Sequence, residues 1–232
     1  MVDVLAALHA VDPHEVELTP LGRPAGFLAR QVRRWGQQLQ RSAGWDLPDA
    51  DVLLARLAER VPADDRTGTS TGIVHGDFKL DNVLALPGQP RPVQAVIDWE
   101  MATVGDTWTD VALLLVYVRL GTLAGAAAVT DVSSAPGFPS GGQLLDRYAA
   151  SSGRDPGAAG GLRFHLGLAH LKLAVILEGI HFRFPRRPNG GRRFRRRRTS
   201  RRTAARSGPH GAATPAQPLI DSARPNPENE ER

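Results

Sequence analysis

A mixed α/β fold, mostly helical, is what this sequence predicts, on three observations. Apolar residues recur at helical spacing through residues 2–11, 28–39 and 48–61 and again through 107–120, 143–150 and 162–180. Between these stretches, residues 72–100 switch to short apolar runs separated by turn residues, the pattern of short strands. The last fifty residues then lose apolar periodicity altogether.

Taken in order, Val2 to Val11 reads as a short helix stopped by Asp12-Pro13. Residues 13–25 carry Pro13, Pro20, Gly22 and Pro24 and read as loop. Leu28, Val32, Trp35 and Leu39 fall on one helical face. Pro48 suits the first turn of a further helix whose Leu54, Leu57 and Val61 share a face before Pro62 ends it. Residues 63–72 read as loop. Gly72 to His75 is a short apolar run, and Asn82 to Leu86 and Val93 to Ile97 pair as a hairpin across a connection at 87–92 that opens with Pro87-Gly88. Asp98-Trp99-Glu100 closes the hairpin. Asp106 or Thr107 caps a helix through Leu120 that is apolar nearly all round, as buried helices are. Residues 121–142 are rich in Gly, Ala, Ser and Pro and read as loop, and Gln143 to Ala150 and Leu162 to Ile180 complete the helices. Trp35, Trp45, Trp99 and Trp108 are expected in the core.

Composition excludes several function classes. The 232 residues include no Cys, so there is no disulfide framework, thiolate metal site or cysteine nucleophile. The acidic opening Met1-Val2-Asp3 lacks the basic region of a secretory leader. The longest strongly apolar run, Val111 to Val118, is far short of the ~20 residues that span a bilayer. A cytoplasmic protein without membrane partners is expected. No Gly-x-Ser-x-Gly elbow supports a serine hydrolase. His165 and His170 lack a carboxylate to complete a metal triad and read as helix-face residues.

Charge divides the chain. Residues 1–182 hold 13 Arg and 2 Lys against 20 acids, net −5, whereas residues 183–232 hold 14 Arg against 4 acids, net +10. The second segment has only Phe184, Phe194, Leu219 and Ile220 as large apolar residues, too few to offset the entropy of ordering it. The expected organisation is a folded domain at 1–182 and a disordered Arg/Pro-rich tail at 183–232.

The chemistry concentrates in His75-Gly76-Asp77-Phe78-Lys79-Leu80-Asp81-Asn82, followed sixteen residues later by Asp98 at the hairpin exit. Phosphoryl transfer needs these residue types together. One carboxylate takes the proton of the attacking hydroxyl, while a side-chain amide and a second carboxylate hold Mg²⁺ against the phosphate oxygens. A tight loop lets Asp77 and Asn82 face one group, and the hairpin returns the chain so that Asp98 joins them. The competing reading makes Asp77, Asn82 and Asp98 three unrelated caps and turn formers.

These residues resemble the aminoglycoside phosphotransferase and choline kinase-like family, and within it the bacterial phosphotransferases related to the kinase-like domain fused to some acyl-CoA dehydrogenases. The family's catalytic loop, H-G-D-[FY]-[KR]-x-D-N, is matched by His75 to Asn82, and its metal segment, [IL]-D-W-E-x-A-x-x-G-D, by Ile97 to Asp106. The likeness extends over residues 4–182, including Leu5 to Asp12 and Lys172 to Ile180. It implies a protein-kinase-like C-terminal lobe with a small catalytic hairpin, moving the γ-phosphate of ATP to a hydroxyl of a small molecule. Asp77 would be the catalytic base, Asn82 and Asp98 the Mg²⁺ ligands, and Lys79 would approach the transferred phosphoryl group. Asp110 would brace the catalytic loop and His75 orient it. Glu100 would touch metal-bound water or substrate, or pair with an Arg, and Asp106 would be a helix cap.

Two departures from the family pattern shape the expectation. No Gly-x-Gly-x-x-Gly and no Lys precede Lys79, so the N-terminal lobe that grips ATP is expected to be missing and turnover by this chain to be weak. Residues 183–206 hold 12 Arg in 24 positions where the family would continue a helix. That leaves open a frameshifted tail in a GC-rich gene, or a basic arm for nucleic acid or acidic lipid. The alternatives to an active kinase are a catalytically inactive remnant and a nucleic-acid-binding module working through the tail. The acceptor and the oligomeric state are not legible.

Overall fold

A computed structural model describes residues 1–41, 47–63, 70–89, 92–121, 133, 135–157 and 162–183. Among the described residues six helices carry the fold: α1 (Val2–His9), α2 (Phe27–Arg41), α3 (Pro48–Glu59), α4 (Trp108–Gly121), α5 (Gly141–Ser152) and α6 (Arg163–Arg183). Four short strands, β1 (Thr71–Val74), β2 (Val83–Ala85), β3 (Val93–Val96) and β4 (Thr103–Asp106), lie between α3 and α4. All belong to the first of two units, Met1–Arg187; the second, Pro188–Arg232, lies outside the described residues. The tail expected at 183–232 is therefore not described beyond the Arg183 backbone, nor are Trp45 and most of 121–142.

The strands form two antiparallel pairs. β2 and β3 make the expected hairpin, with Val83 opposite Val96 and a register shift between Leu84 and Ala85. β1 pairs with β4, from Thr71 opposite Asp106 to Val74 opposite Thr103. The sequence reading has no strand at 103–106. Four residues interrupted by Gly105 give too short an alternation to register as one, and only the partner reveals it. Gly105 is required by packing, since a Cβ there would lie 2.7 Å from the Phe27 ring.

Helix α6 organises the core. Ala169 and Leu173, with Leu162 just before the helix, pack with buried residues of α1, α4 and α5, whereas Leu168, Leu171 and Val175 pack with Phe27, Val32, Trp35 and Leu57 of α2 and α3. An apolar surface on two sides is what a helix between two layers needs. α4 is buried for a similar reason, from Trp108 through Val118. Helix ends follow local chemistry. Pro48 occupies the first turn of α3, Ser140 and Gln143 form a reciprocal capping box on α5, and Gly153 ends α5 with φ 69°. Among the tryptophans expected in the core, Trp35 and Trp108 are buried, but Trp99 is 43 % exposed. It sits in the turn leaving the hairpin, where its indole N–H donates to the Val96 carbonyl at 2.8 Å, so its polar handle is satisfied without burial.

Candidate active site

β1 delivers the chain to His75, and the segment to Asn82 turns back tightly into β2. Gly76 makes that turn in the left-handed region, φ 84°, and a Cβ there would lie 2.5 Å from the Met101 carbonyl oxygen. No residue with a side chain fits this position. The segment closes on itself: Asn82 donates its backbone N–H to the Lys79 carbonyl at 3.1 Å and its amide to the Asp77 carbonyl at 2.9 Å.

Buried groups beneath hold the loop. Asp110 on α4, 1 % exposed, accepts the His75 N–H at 2.6 Å and the Gly76 N–H at 2.8 Å. His9 on α1 lies against the same carboxylate, with Nε2 3.3 Å from Oδ2, and its Nδ1 meets the Tyr148 hydroxyl at 2.8 Å. Burial pushes the Tyr148 phenol up, so it remains a donor. The Gly76 carbonyl accepts from Lys172 on α6. Both polar atoms of the Gly76 peptide are thus engaged, one by α4 and one by α6. The His75 ring is fully buried; its Nδ1 accepts the Asp77 N–H at 3.2 Å, which assigns the proton to Nε2 and makes Nε2 donate to the Ile97 carbonyl at 3.0 Å.

Asp77 projects from this frame with both carboxylate oxygens engaged. Oδ2 takes the Lys79 ammonium at 2.8 Å and the Asn82 amide at 3.3 Å, and Oδ1 takes the Tyr117 hydroxyl at 3.0 Å. The Lys79 ammonium also lies 5.3 Å from the centroid of the Tyr117 ring. The hairpin exit is tied to the same loop, because Ile97 donates its N–H to the Asn82 carbonyl at 2.9 Å and accepts from His75. Asp98 follows, exposed and left-handed at φ 67°, and Glu100 is exposed in the 3₁₀ turn Trp99–Met101.

Of the residues singled out in the sequence, His75, Asp77, Lys79, Asn82 and Asp110 form one bonded group. Asp98 and Glu100 stand beside it on the hairpin exit, linked through the Ile97 backbone. Asp106 accepts the Trp108 N–H at 3.0 Å in the first turn of α4, and its other oxygen meets His165 at 3.1 Å. Sequence reasoning misses Tyr117, His9 and Lys172. Tyr117 had a signal: it lies seven residues after Asp110, two helical turns along the same face. Among the described residues no three His, Cys, Asp or Glu side chains cluster as a metal site. The donor set nevertheless suits Mg²⁺. The Asn82 amide nitrogen is turned to Asp77, which leaves its neutral oxygen for a hard cation, and Asp98 adds an exposed carboxylate.

The profile of the phosphotransferase enzyme family (APH) matches residues 1–161. The chain belongs to that family. It is 35% identical over 185 residues to acyl-CoA dehydrogenase family member 11 of Rattus norvegicus and 31% identical over 186 residues to that of Gallus gallus. Both alignments cover 79% of the chain but 23% of the relative, so the chain spans about a quarter of those proteins' length. The crystal structure of a Ralstonia eutropha protein assigned as an aminoglycoside phosphotransferase superposes with a TM-score of 0.64 at 31% identity, over 79% of this chain and 54% of that one. The mixed, mostly helical architecture is thus that of the kinase-like phosphotransferases. No described helix is long and apolar enough to cross a membrane.

Proposed function

We propose that the chain carries the phosphoryl-transfer site of an ATP-dependent small-molecule kinase, with the γ-phosphate passing to a hydroxyl of a small metabolite. The observation that supports this best is the engagement of Asp77 at both oxygens by Lys79, Asn82 and Tyr117 above a buried brace. A carboxylate so fixed is oriented to accept the acceptor's hydroxyl proton. The acceptor oxygen then bonds to the γ-phosphorus, the bond from phosphorus to the bridging oxygen breaks, and ADP leaves. Lys79 offers a point charge to the transferred group when it releases Asp77. Asn82 and Asp98 would hold Mg²⁺, whose charge offsets that of the phosphate oxygens.

Positioning carries most of the catalysis in phosphoryl transfer. Lys79 and Lys172 are the only lysines in the sequence, and no glycine-rich phosphate loop precedes His75. Turnover by the 232-residue chain is therefore expected to be weak and to need single-turnover measurement. Asp77→Asn should lower the phosphoryl-transfer rate by about 10²–10⁴, the range for loss of a general base, and leave Mn²⁺–ADP binding unchanged. Asp98→Ala should abolish Mn²⁺ binding, read by electron paramagnetic resonance. An unchanged rate in Asp77→Asn removes the base, and retained Mn²⁺ in Asp98→Ala removes the ligand.

A further inference from the structure

A cavity of about 270 Å³ lies between α2, α6, β4 and the catalytic segment. Gly76, adjacent to the proposed base, forms part of its wall, and Glu100, two residues past Asp98, stands exposed at its edge. Phe27 and Trp35 give it a buried aromatic side. Its volume falls just below the ~300 Å³ at which ordinary small-molecule pockets begin, so it suits a compact ligand.

The charges lining this cavity are unequally committed. Asp110 is occupied by the His75 and Gly76 N–H groups and by His9. His165 is held by Asp106. Arg34, Lys172 and, exposed at the edge, Glu100 remain. Lys172 is half-buried, donates to the Gly76 carbonyl, and forms no ion pair among the described residues. An ammonium has three donors, so two are left for a ligand. The Lys172 ammonium is 5.5 Å and the Arg34 guanidinium 5.7 Å from the ring centroid of the same Trp35. Burial pushes the Lys172 ammonium's pKa down, and although Asp77 and Asp110 oppose this, Arg34 pushes it further the same way. A part-buried cation without a paired carboxylate, next to a second cation, is a position that an anion stabilises.

We propose that this cavity is the acceptor subsite and that the acceptor is a small hydroxylated acid, its carboxylate or phosphate lying between Arg34 and Lys172 and its apolar body against Phe27 and Trp35. The assignment of the ligand as acceptor rests on the kinase reading above; the preference for an anion does not. A polycationic amino sugar is disfavoured, since its ammonium groups would meet two cations and the single available carboxylate of Glu100. Lys172 also couples the subsite to catalysis, because the same ammonium holds the Gly76 carbonyl of the loop that carries Asp77.

Mandelate, mandelamide and phenylethanolamine test this. They share a phenyl ring and a benzylic hydroxyl and differ in ending as carboxylate, amide or ammonium. Binding to the full chain is measured by calorimetry without nucleotide or metal, so the result stands apart from turnover. Mandelate should bind tightest and phenylethanolamine weakest, with mandelate ahead of mandelamide by about tenfold, the scale of replacing a neutral hydrogen bond by a charge-assisted one. Arg34→Gln, a change at an exposed position, should remove most of that preference while mandelamide binding stays within about twofold, and Lys172→Met should act in the same direction. Tightest binding of phenylethanolamine, equal or undetectable binding of all three at millimolar concentration, or mandelate binding unchanged by Arg34→Gln each overturns the proposal. So does displacement of mandelate by ADP, which would assign the cations to the phosphate donor. Failure of the kinase reading shows separately, as a rate unchanged in Asp77→Asn.

Discussion

Asp77 is gripped at its two oxygens by partners that differ in kind. Lys79 and Asn82 belong to the same loop, so their hold on Oδ2 is local; Tyr117 comes from the buried helix α4 and ties Oδ1 to the core. Tyr117→Phe keeps the ring and removes only the hydroxyl, so it should cost about 0.5–1.5 kcal/mol, the net worth of one hydrogen bond, in denaturant unfolding near neutral pH. Burial, and then the Asp77 charge, push the Tyr117 phenol well above its ordinary range. A folded-state pKa above the unfolded value means a stabilising contribution that is full below about pH 10 and lost as pH rises toward the raised value. The wild-type chain should therefore lose stability more steeply than Tyr117→Phe above about pH 10. Parallel curves for the two proteins would show that the hydroxyl is neither buried nor turned to Asp77.

At the scale of elements, what the sequence made legible follows from repetition. Leu28, Val32, Trp35 and Leu39 repeat a face four times, and all are buried in α2. The hairpin declared itself by Pro87-Gly88 between two apolar runs. The site loop was legible because its residues sit within eight positions of one another. β4 was not, because Thr103–Asp106 has no repeat of its own and is defined by pairing with β1, 29 to 35 residues earlier. Lys172 and His9 escaped for the same reason: each meets the loop through tertiary contact, at sequence separations no local pattern encodes. α6 shows how unequal the elements are energetically. Leu171 is fully buried in the layer shared with α2 and α3, and Leu171→Ala should cost about 2–5 kcal/mol. Ser140→Ala, which removes the capping box of the exposed α5 start, should cost about 1 kcal/mol. Thermal unfolding of the two variants compares them directly; equal losses would contradict a core organised on α6.

The whole molecule is electrically divided, and its pI of about 10.5 describes neither part. Residues 1–182 are net −5 and residues 183–232 net +10. A phosphate backbone is therefore repelled by the first segment and attracted by the second, through the 14 Arg that lie after residue 182. The attraction should be insensitive to sequence, because neutralising phosphates carries no information about bases. It should also weaken steeply with salt, with a slope of about −0.9 per phosphate neutralised in a plot of log affinity against log salt. Removing residues 184–232 should abolish binding to duplex DNA and to heparin, leave the mandelate affinity within about twofold, and keep the order of the three probes, since Arg34 and Lys172 lie in the part that remains. Fluorescence anisotropy of random-sequence DNA over a salt series, with and without the segment, reads the first effect, and calorimetry reads the second. Binding that survives the removal would place a basic surface within residues 1–182 despite their net charge. A DNA sequence preference lost together with the segment would mean that its arginines read base edges, an activity separate from phosphoryl transfer.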